Sequence, residues 1–261
     1  MGRFWDFVRV SAKPQKGKLP LVHSTDLYHF RDIQQLSELR PSECDVYRNE
    51  KLLYFFYGRP SYRAHASKDT VTAKALLPVC LVMSQNIMGK AVRIMPFDSG
   101  AFERKMMHPP MHEAMRKEAF ELAIASQAPM QMIKVFYENE YNYYHTKANS
   151  VVTGYDHFEE LEVDSYFRLL HHRANTEFDD RVTAIEIQLG TAVELTGQIH
   201  AVILPKPFLD RPGIVEQIEE EWGGLAIPYN VKEEFVPREI QGSIFDRLTE
   251  YFYQEGFLES S

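Results

Sequence analysis

The chain has 261 residues, of which 44% are hydrophobic and 25% are charged, a composition that allows an ample core and excludes collagen-like, fibrous and disordered proteins. Its 29 basic and 37 acidic residues give a net charge of −8. The sequence therefore lacks the broad positive surface that holds a protein on nucleic-acid phosphates, and a nucleic-acid partner would have to bind a local basic patch.

Two cysteines, Cys44 and Cys80, are too few for a disulfide framework or a four-cysteine zinc site, which favours a reducing, cytoplasmic location. Apolar runs fall short of the roughly 18 residues that span a bilayer, so we expect no membrane partner. His108 and His112 have the spacing of a metal pair on a helix, but Pro109-Pro110 stands between them. We expect no metal ion.

Short apolar runs with sharp ends predict strands over 19–22, 51–58, 76–84 and 91–96. A helix is predicted directly after Asp26, because the short oxygen side chains that precede it can cap a helix. Its inward-facing residues would be Leu27, Phe30, Ile33 and Leu36.

The middle of the chain predicts a helical insertion over about 103–175. It would contain one helix over 111–127, which ends at Pro129, and a second over about 155–172. The alternating segment 181–189 and the apolar segment 198–204 predict two strands that form a hairpin.

The last part of the chain predicts an acidic helix over 213–222, a strand over 225–229 and a helix over 243–254. Strands and helices do not alternate strictly, which favours an α+β fold in one domain, 1–261. The residues of the last helix expected on the core side are Ile244, Leu248, Tyr251 and Phe252.

The first candidate site residues are His23, Ser24 and Thr25, at the end of an apolar strand and just before a helix. One imidazole and two hydroxyls can all form hydrogen bonds with a ribose or an amide. A helix cap next to a structural histidine explains the same residues, and it is the more common case.

A second group lies at the end of the strand 51–58, where a Gly-Arg-Pro turn delivers tyrosines and arginines to one edge. Aromatic rings stack on flat heterocycles, and guanidinium groups bind diphosphates. Aromatic residues are also good strand residues, and for Tyr54 or Tyr57 alone core packing is the more common explanation. The candidates are Tyr54, Tyr57, Arg59, Tyr62 and Arg63.

The third candidate is Glu186, between Ile185 and Ile187 in an apolar strand. An unpaired buried charge is costly, so this carboxylate should face solvent or a cleft. Alternation along the strand places it on the same side as Gln188, which fits both a solvent-facing and a cleft-facing position.

Three features follow one another along the chain: His23-Ser24-Thr25, the tyrosines that follow a strand, and a strand glutamate after Ala184. In this order they resemble the ADP-ribosyltransferase superfamily of the His-Tyr-Glu type. The likeness is greatest to the DarT-like branch of bacterial toxins and more remote to poly(ADP-ribose) polymerases. The resemblance covers about 19–205 and implies an α+β fold in which two small, packed, mostly antiparallel sheets form an NAD cleft with flanking helices.

The resemblance also implies roles for individual residues. His23, supported by Thr25, would hold a ribose hydroxyl of NAD+, and Tyr54 or Tyr62 would stack on nicotinamide. Glu186 would be the catalytic residue, because it would bind the 2′-hydroxyl of the nicotinamide ribose and stabilise the positive charge that develops as the glycosidic bond breaks. An arginine on the pyrophosphate, Arg59 or Arg63, is inferred from charge alone.

These roles describe an enzyme that uses NAD as a substrate and transfers ADP-ribose to a nucleic acid or a protein. Such an enzyme would suit a bacterial toxin or a phage-defence effector that has an inhibitor or antitoxin as a partner. Two alternatives remain open at the level of sequence: an NAD+ glycohydrolase, which would pass ADP-ribose to water, and a non-catalytic interaction domain with the same fold.

Overall fold

The computed structural model describes residues 2–61, 72–172 and 180–259. Its strands are β1 Leu21–Asp26, β2 Glu38–Leu39, β3 Ser42–Glu43, β4 Lys51–Tyr57, β5 Pro78–Met83, β6 Ala91–Met95, β7 Glu186–Leu189, β8 Val193–Glu194, β9 Ile199–Pro205 and β10 Leu225–Tyr229. Its helices are α1 Arg3–Ser11, α2 Leu27–Leu36, α3 Ser99–Glu103, α4 Ala128–Phe136, α5 Glu140–Tyr144, α6 Leu161–His171, α7 Lys206–Leu209, α8 Ile214–Glu216 and α9 Pro237–Gln254.

Most of the strands form one eight-stranded mixed sheet in the order β10-β9-β5-β1-β4-β7-β6, with β3 paired to β4. The β9–β10 pair is parallel and the other strand pairs are antiparallel. Strands β2 and β8 form a separate two-stranded sheet. The α+β class is therefore confirmed, but one large sheet and a short ribbon replace the two small sheets that we expected.

The large sheet is joined at its middle by a very short pairing. Strand β1 pairs with β4 only through Leu21–Tyr57 and Val22–Phe56, whereas it pairs with β5 along all six of its residues. We call this β1–β4 contact the seam. Beyond Val22, β1 continues along β5 and is paired with no other strand of the described residues.

The central strands are buried on both faces, which explains why β5, β7 and β9 read as almost continuous apolar runs. Helix α9 packs on β5, β9 and β10, while α1 packs on α4 and α6. An aromatic cluster joins α1, α4 and α6, where the ring of Phe4 lies 5.7 Å from that of Phe136 and 5.4 Å from that of Tyr166.

Two helix predictions for the middle of the chain are inaccurate. Residues 111–127 form turns and a short 3₁₀ segment, Lys117–Phe120, instead of an α-helix. Pro129 does not end a helix but lies in the first turn of α4, where a missing backbone N–H leaves no hydrogen bond unmade. The helix predicted over 155–172 begins only at Leu161.

The predicted hairpin of 181–189 and 198–204 is also wrong, although both segments contain strands. Strand β7 lies between β4 and β6, whereas β9 lies between β5 and β10. Each strand is therefore flanked on both sides by strands other than its predicted partner. Helix α1 was not predicted at all.

The predictions for α2 and α9 are confirmed in position. Asp26 caps α2 by accepting a hydrogen bond from the backbone N–H of His29 at 3.0 Å. The four core residues expected on α9 are all buried. In α2, however, Leu36 is 47% exposed, because the helix ends at this residue and Ser37 turns the chain with a φ of 52°. Within the described ranges, no helix has both the length and the apolar character needed to cross a membrane.

These burial differences give a stability prediction. Leu248→Ala, in a fully buried position on α9, should lower the free energy of unfolding by about 2–5 kcal/mol, because it leaves a cavity. Leu36→Ala should change it by about 0.5 kcal/mol or less. Chemical denaturation of both variants measures this, and an equal loss in the two would contradict the placement of Leu36.

Candidate functional site

His23 lies at the point where the seam ends. Its ring nitrogen Nδ1 is 2.8 Å from the carbonyl oxygen of Tyr54, so a side chain makes the contact to β4 that a backbone N–H would otherwise make. Its ring also lies 5.6 Å from that of Phe55. The imidazole therefore occupies the gap between the two halves of the sheet.

The hydrogen bond to Tyr54 fixes the chemistry of the His23 ring. A carbonyl oxygen only accepts, so Nδ1 must carry the proton and donate it. Burial lowers the pKa of His23 below its ordinary value, which favours the neutral ring. In that state Nε2 is an acceptor, suited to a hydroxyl or an amide N–H of a ligand.

Ser24 and Thr25 continue β1 past the seam, paired with Cys80 and Val79 of β5. Both are partly buried, and neither caps α2, since that role belongs to Asp26. Their hydroxyls lie on the stretch of β1 that has no backbone partner towards β4.

Glu186 is the most unusual residue of the sheet, because it is an acid that is only 1% exposed. Its Oε1 accepts hydrogen bonds from the Ser99 hydroxyl at 2.8 Å and from the Gln188 amide at 2.5 Å, and its Oε2 accepts one from the Ser99 backbone N–H at 3.1 Å. The solvent-facing position that the sequence also allowed is therefore wrong. The carboxyl group is buried and held by donors.

The pKa of Glu186 is raised to about 8. Burial is the main cause, and the nearby charge of Asp98 is the second. The hydrogen bonds from Gln188 and Ser99 act in the opposite direction, since they favour the ionised form. A small change in the surroundings can consequently shift this carboxyl between its two protonation states near neutral pH.

Arg93 orients the amide of Gln188 from the neighbouring strand β6. Its Nη1 donates to Gln188 Oε1 at 2.5 Å, which leaves the amide N–H₂ of Gln188 to face Glu186. Arg93 itself is held by Glu50 at 3.2 Å and Glu121 at 3.3 Å. The chain of contacts thus runs from surface acids through a guanidinium and an amide to the buried carboxyl.

Of the two predicted tyrosines that the structure describes, Tyr54 is the one beside this group. It pairs with Gln188 across the β4–β7 ladder, and the charge of Glu186 contributes to raising its pKa, although burial contributes more. Its hydroxyl is 2.7 Å from Cys44 Sγ, which also accepts from the backbone N–H of Tyr47 at 3.1 Å. The structure thus brings Tyr54 and Glu186 together on adjacent strands.

The side chains of Tyr57 and Arg59 are engaged elsewhere. The Tyr57 hydroxyl donates to Glu140 Oε1 at 2.6 Å. Arg59 is buried, with its Nη1 bonded to the hydroxyl of Thr183 at 2.9 Å and its guanidinium 5.6 Å from the Tyr143 ring. Both residues have structural partners here. Tyr62 and Arg63 lie outside the described residues.

Sequence reasoning did not identify Ser99, Arg93 or Tyr47 as members of the site. The contact of Ser99 with Glu186 spans 87 positions of sequence, so no local pattern indicates it. The isolated Arg93 in an apolar strand was the one available signal, because a charge at such a position requires a partner.

A separate surface pocket of about 250 Å³ lies over residues 102–118, and His108 and His112 are among its lining residues. In the three described segments, no group of three or more histidine, cysteine, aspartate or glutamate side chains is placed to hold a metal ion. The pocket is lined by residues other than those that surround Glu186.

The raised pKa of Glu186 gives a pH-dependent stability prediction. Between its ordinary pKa of 4.5 and about pH 8, the folded state keeps a proton that the unfolded chain has released, so stability from this group falls as pH rises through that window. Glu186→Gln should therefore gain stability relative to wild type by more than about 1 kcal/mol between about pH 5 and pH 8.5.

Urea unfolding at the two pH values measures this difference. Glu194→Gln, at an exposed position of β8, is the control and should follow the pH dependence of the wild type. A constant difference between Glu186→Gln and the wild type would show that the carboxyl keeps an ordinary pKa.

A second prediction concerns Tyr57. Removing its hydroxyl with Tyr57→Phe breaks a hydrogen bond to a carboxylate and should lower the free energy of unfolding by about 1–3 kcal/mol. Tyr28→Phe, on a side chain that is 55% exposed, should change it by about 0.5 kcal/mol or less. Thermal unfolding of both variants measures the effect, and equal melting temperatures would contradict a structural role for Tyr57.

Neither a scan of the chain against models of protein families nor a search of curated proteins returns a match.

Proposed function

We propose that this protein cleaves the bond between nicotinamide and ribose in NAD+ and transfers ADP-ribose to a macromolecular acceptor. The observation that carries the proposal is the order of the strands. The three segments that the sequence singled out lie on β1, β4 and β7, which are consecutive neighbours in the sheet. His23 and Tyr54 meet where β1 and β4 adjoin, and Tyr54 lies on the strand next to Glu186.

The seam supports a cleft between β1 and β4. NAD+ would enter where β1 extends past its pairing with β4, with the His23 Nε2 facing a ribose hydroxyl and the Thr25 side chain on the same face of the strand. The ring of Tyr54, on the other side of the seam, would pack against nicotinamide.

Glu186 would supply the electrostatic part of the reaction. As the nicotinamide leaves, positive charge builds up on the ribose, and an anion held in a low-dielectric site stabilises that charge strongly. The carboxyl is already held by donors from Ser99 and Gln188, so little reorganisation is needed. The positive charge of bound nicotinamide would lower the pKa of Glu186 and favour its ionised form.

The acceptor would be a nucleic acid or a protein. With a net charge of −8, the chain favours an acceptor held by local contacts over one held by general attraction to phosphates. We assign the activity to the cytoplasm, as a toxin or defence effector that an inhibitor protein restrains in the producing cell.

The first functional prediction concerns Glu186. Wild-type protein should release nicotinamide from NAD+, and Glu186→Gln should lower the rate by about 10²–10³, because the neutral amide cannot stabilise the developing charge. Release should also rise with pH towards about 8, as the carboxyl becomes ionised. Chromatographic detection of nicotinamide, with bacterial lysate as the source of acceptors, measures both.

Glu194→Gln is the matched control and should keep the wild-type rate. Labelled NAD+ then separates the two fates of ADP-ribose, since transfer places the label on macromolecules and hydrolysis leaves it free. Nicotinamide release that persists in a correctly folded Glu186→Gln variant would contradict the catalytic assignment.

A further inference from the structure

Arg93 is separated from the proposed catalytic carboxyl by one side chain, that of Gln188. It lies on β6, and its register partner on the neighbouring strand β7 is Gln188. The guanidinium carbon lies 3.7 Å from the centre of the Tyr47 ring. The partly exposed carboxylates of Glu50 and Glu121 lie 3.2 Å and 3.3 Å from the guanidinium nitrogens. These contacts hold Arg93 in one position next to Gln188.

The donors of Arg93 fix the direction of the Gln188 amide. A guanidinium carries N–H donors and no acceptor, so the atom of Gln188 that lies 2.5 Å from Arg93 Nη1 must be the carbonyl oxygen. The amide N–H₂ then points the other way, 2.5 Å from Glu186 Oε1 and 3.2 Å from the Ser99 hydroxyl. Because a guanidinium keeps its charge at any pH that a protein tolerates, it enforces this direction throughout.

The direction of the amide decides which form of Glu186 fits best. An amide N–H₂ donates to an ionised carboxylate, whereas a turned amide would present its carbonyl oxygen, which needs a proton on the carboxyl. Arg93 opposes the turned amide, because the amide N–H₂ would then face the N–H groups of the guanidinium. Through the amide, the guanidinium therefore favours the ionised form of Glu186.

We propose that Arg93 is a positioning residue of the proposed reaction, which holds the Gln188 amide so that Glu186 is ionised when NAD+ is cleaved. The inference rests on the proposed function and adds a cause for the charge that this function needs. Without Arg93 the amide is free to turn, and the carboxyl keeps its proton to a higher pH. A variant that lacks the guanidinium should thus be slow near neutral pH and recover as the pH rises.

Three other titratable groups of the described residues lie near Glu186. Asp98, which caps α3, raises the pKa of Glu186. The hydroxyls of Tyr47 and Tyr54 also lie close, and burial raises the pKa of both, so they stay neutral over the tested range. All three side chains remain in the protein when Arg93 is exchanged.

The first part of the test measures nicotinamide release from NAD+ against pH for the wild type and Arg93→Met, whose side chain donates no hydrogen bond. The midpoint of the profile should rise by about one pH unit, the effect of one hydrogen bond to a charged group, so the variant should be about tenfold slower at about pH 7. At about pH 9.5 the two rates should agree within about threefold. Arg3→Met, at an exposed salt bridge of α1, is the control and should follow the wild type.

A double-mutant cycle tests whether Arg93 acts through the amide. Titration of the Glu186 carboxyl by ¹³C NMR in the ligand-free proteins gives the midpoint without any turnover. Arg93→Met and Gln188→Met should each raise this midpoint by about one pH unit. In the Gln188→Met background, Arg93→Met should add less than about a third of its separate effect, because the amide through which it acts is gone.

The outcomes separate this inference from the proposed function. An unchanged midpoint in Arg93→Met, or an equal rise with and without the Gln188 amide, would overturn the role of Arg93. A loss of rate that is the same at both pH values would overturn it too, since damage to the fold alone has that effect. Absence of release by the wild type would overturn the proposed function, while the NMR cycle would still decide whether Arg93 controls the charge of Glu186.

Discussion

The burial of one carboxyl group, that of Glu186, constrains the centre of this structure. Transferring a carboxylate from water into a protein interior is costly unless donors surround it. Here the donors are Gln188, two residues further along the same strand, and Ser99, the first residue of α3. The same contacts therefore fix the direction in which the chain leaves β6 and the orientation of the Gln188 amide. Structure and candidate chemistry depend on the same set of hydrogen bonds.

The second constraint is the seam, where two residue pairs join the two halves of the sheet. A side chain, His23, continues the contact where the backbone pairing stops, so the sheet stays connected without closing the gap. Separating the two halves at this point would break the His23 contact and the short backbone pairing beside it.

Local signals in the sequence were sufficient for some elements and not for others. Helices α2 and α9 follow from apolar spacing and, for α2, from the cap at Asp26, which are properties of neighbouring residues. The β7–β9 hairpin failed because strand pairing is decided by partners far away in sequence. Glu186 is recognisable in the sequence because it is an acid in an apolar strand. Ser99 and Tyr47 have no such local signal. Their importance arises only from contacts that folding creates.

The most direct test of the account is the titration of the Glu186 carboxyl by ¹³C NMR, with the resonance assigned by its loss in Glu186→Gln. The account predicts a midpoint near pH 8 in the free protein and a lower midpoint when NAD+ is bound, because the nicotinamide cation and the ribose hydroxyl favour the ionised form. A midpoint near the ordinary value of 4.5, unchanged by NAD+, would contradict both the buried carboxyl and its proposed role.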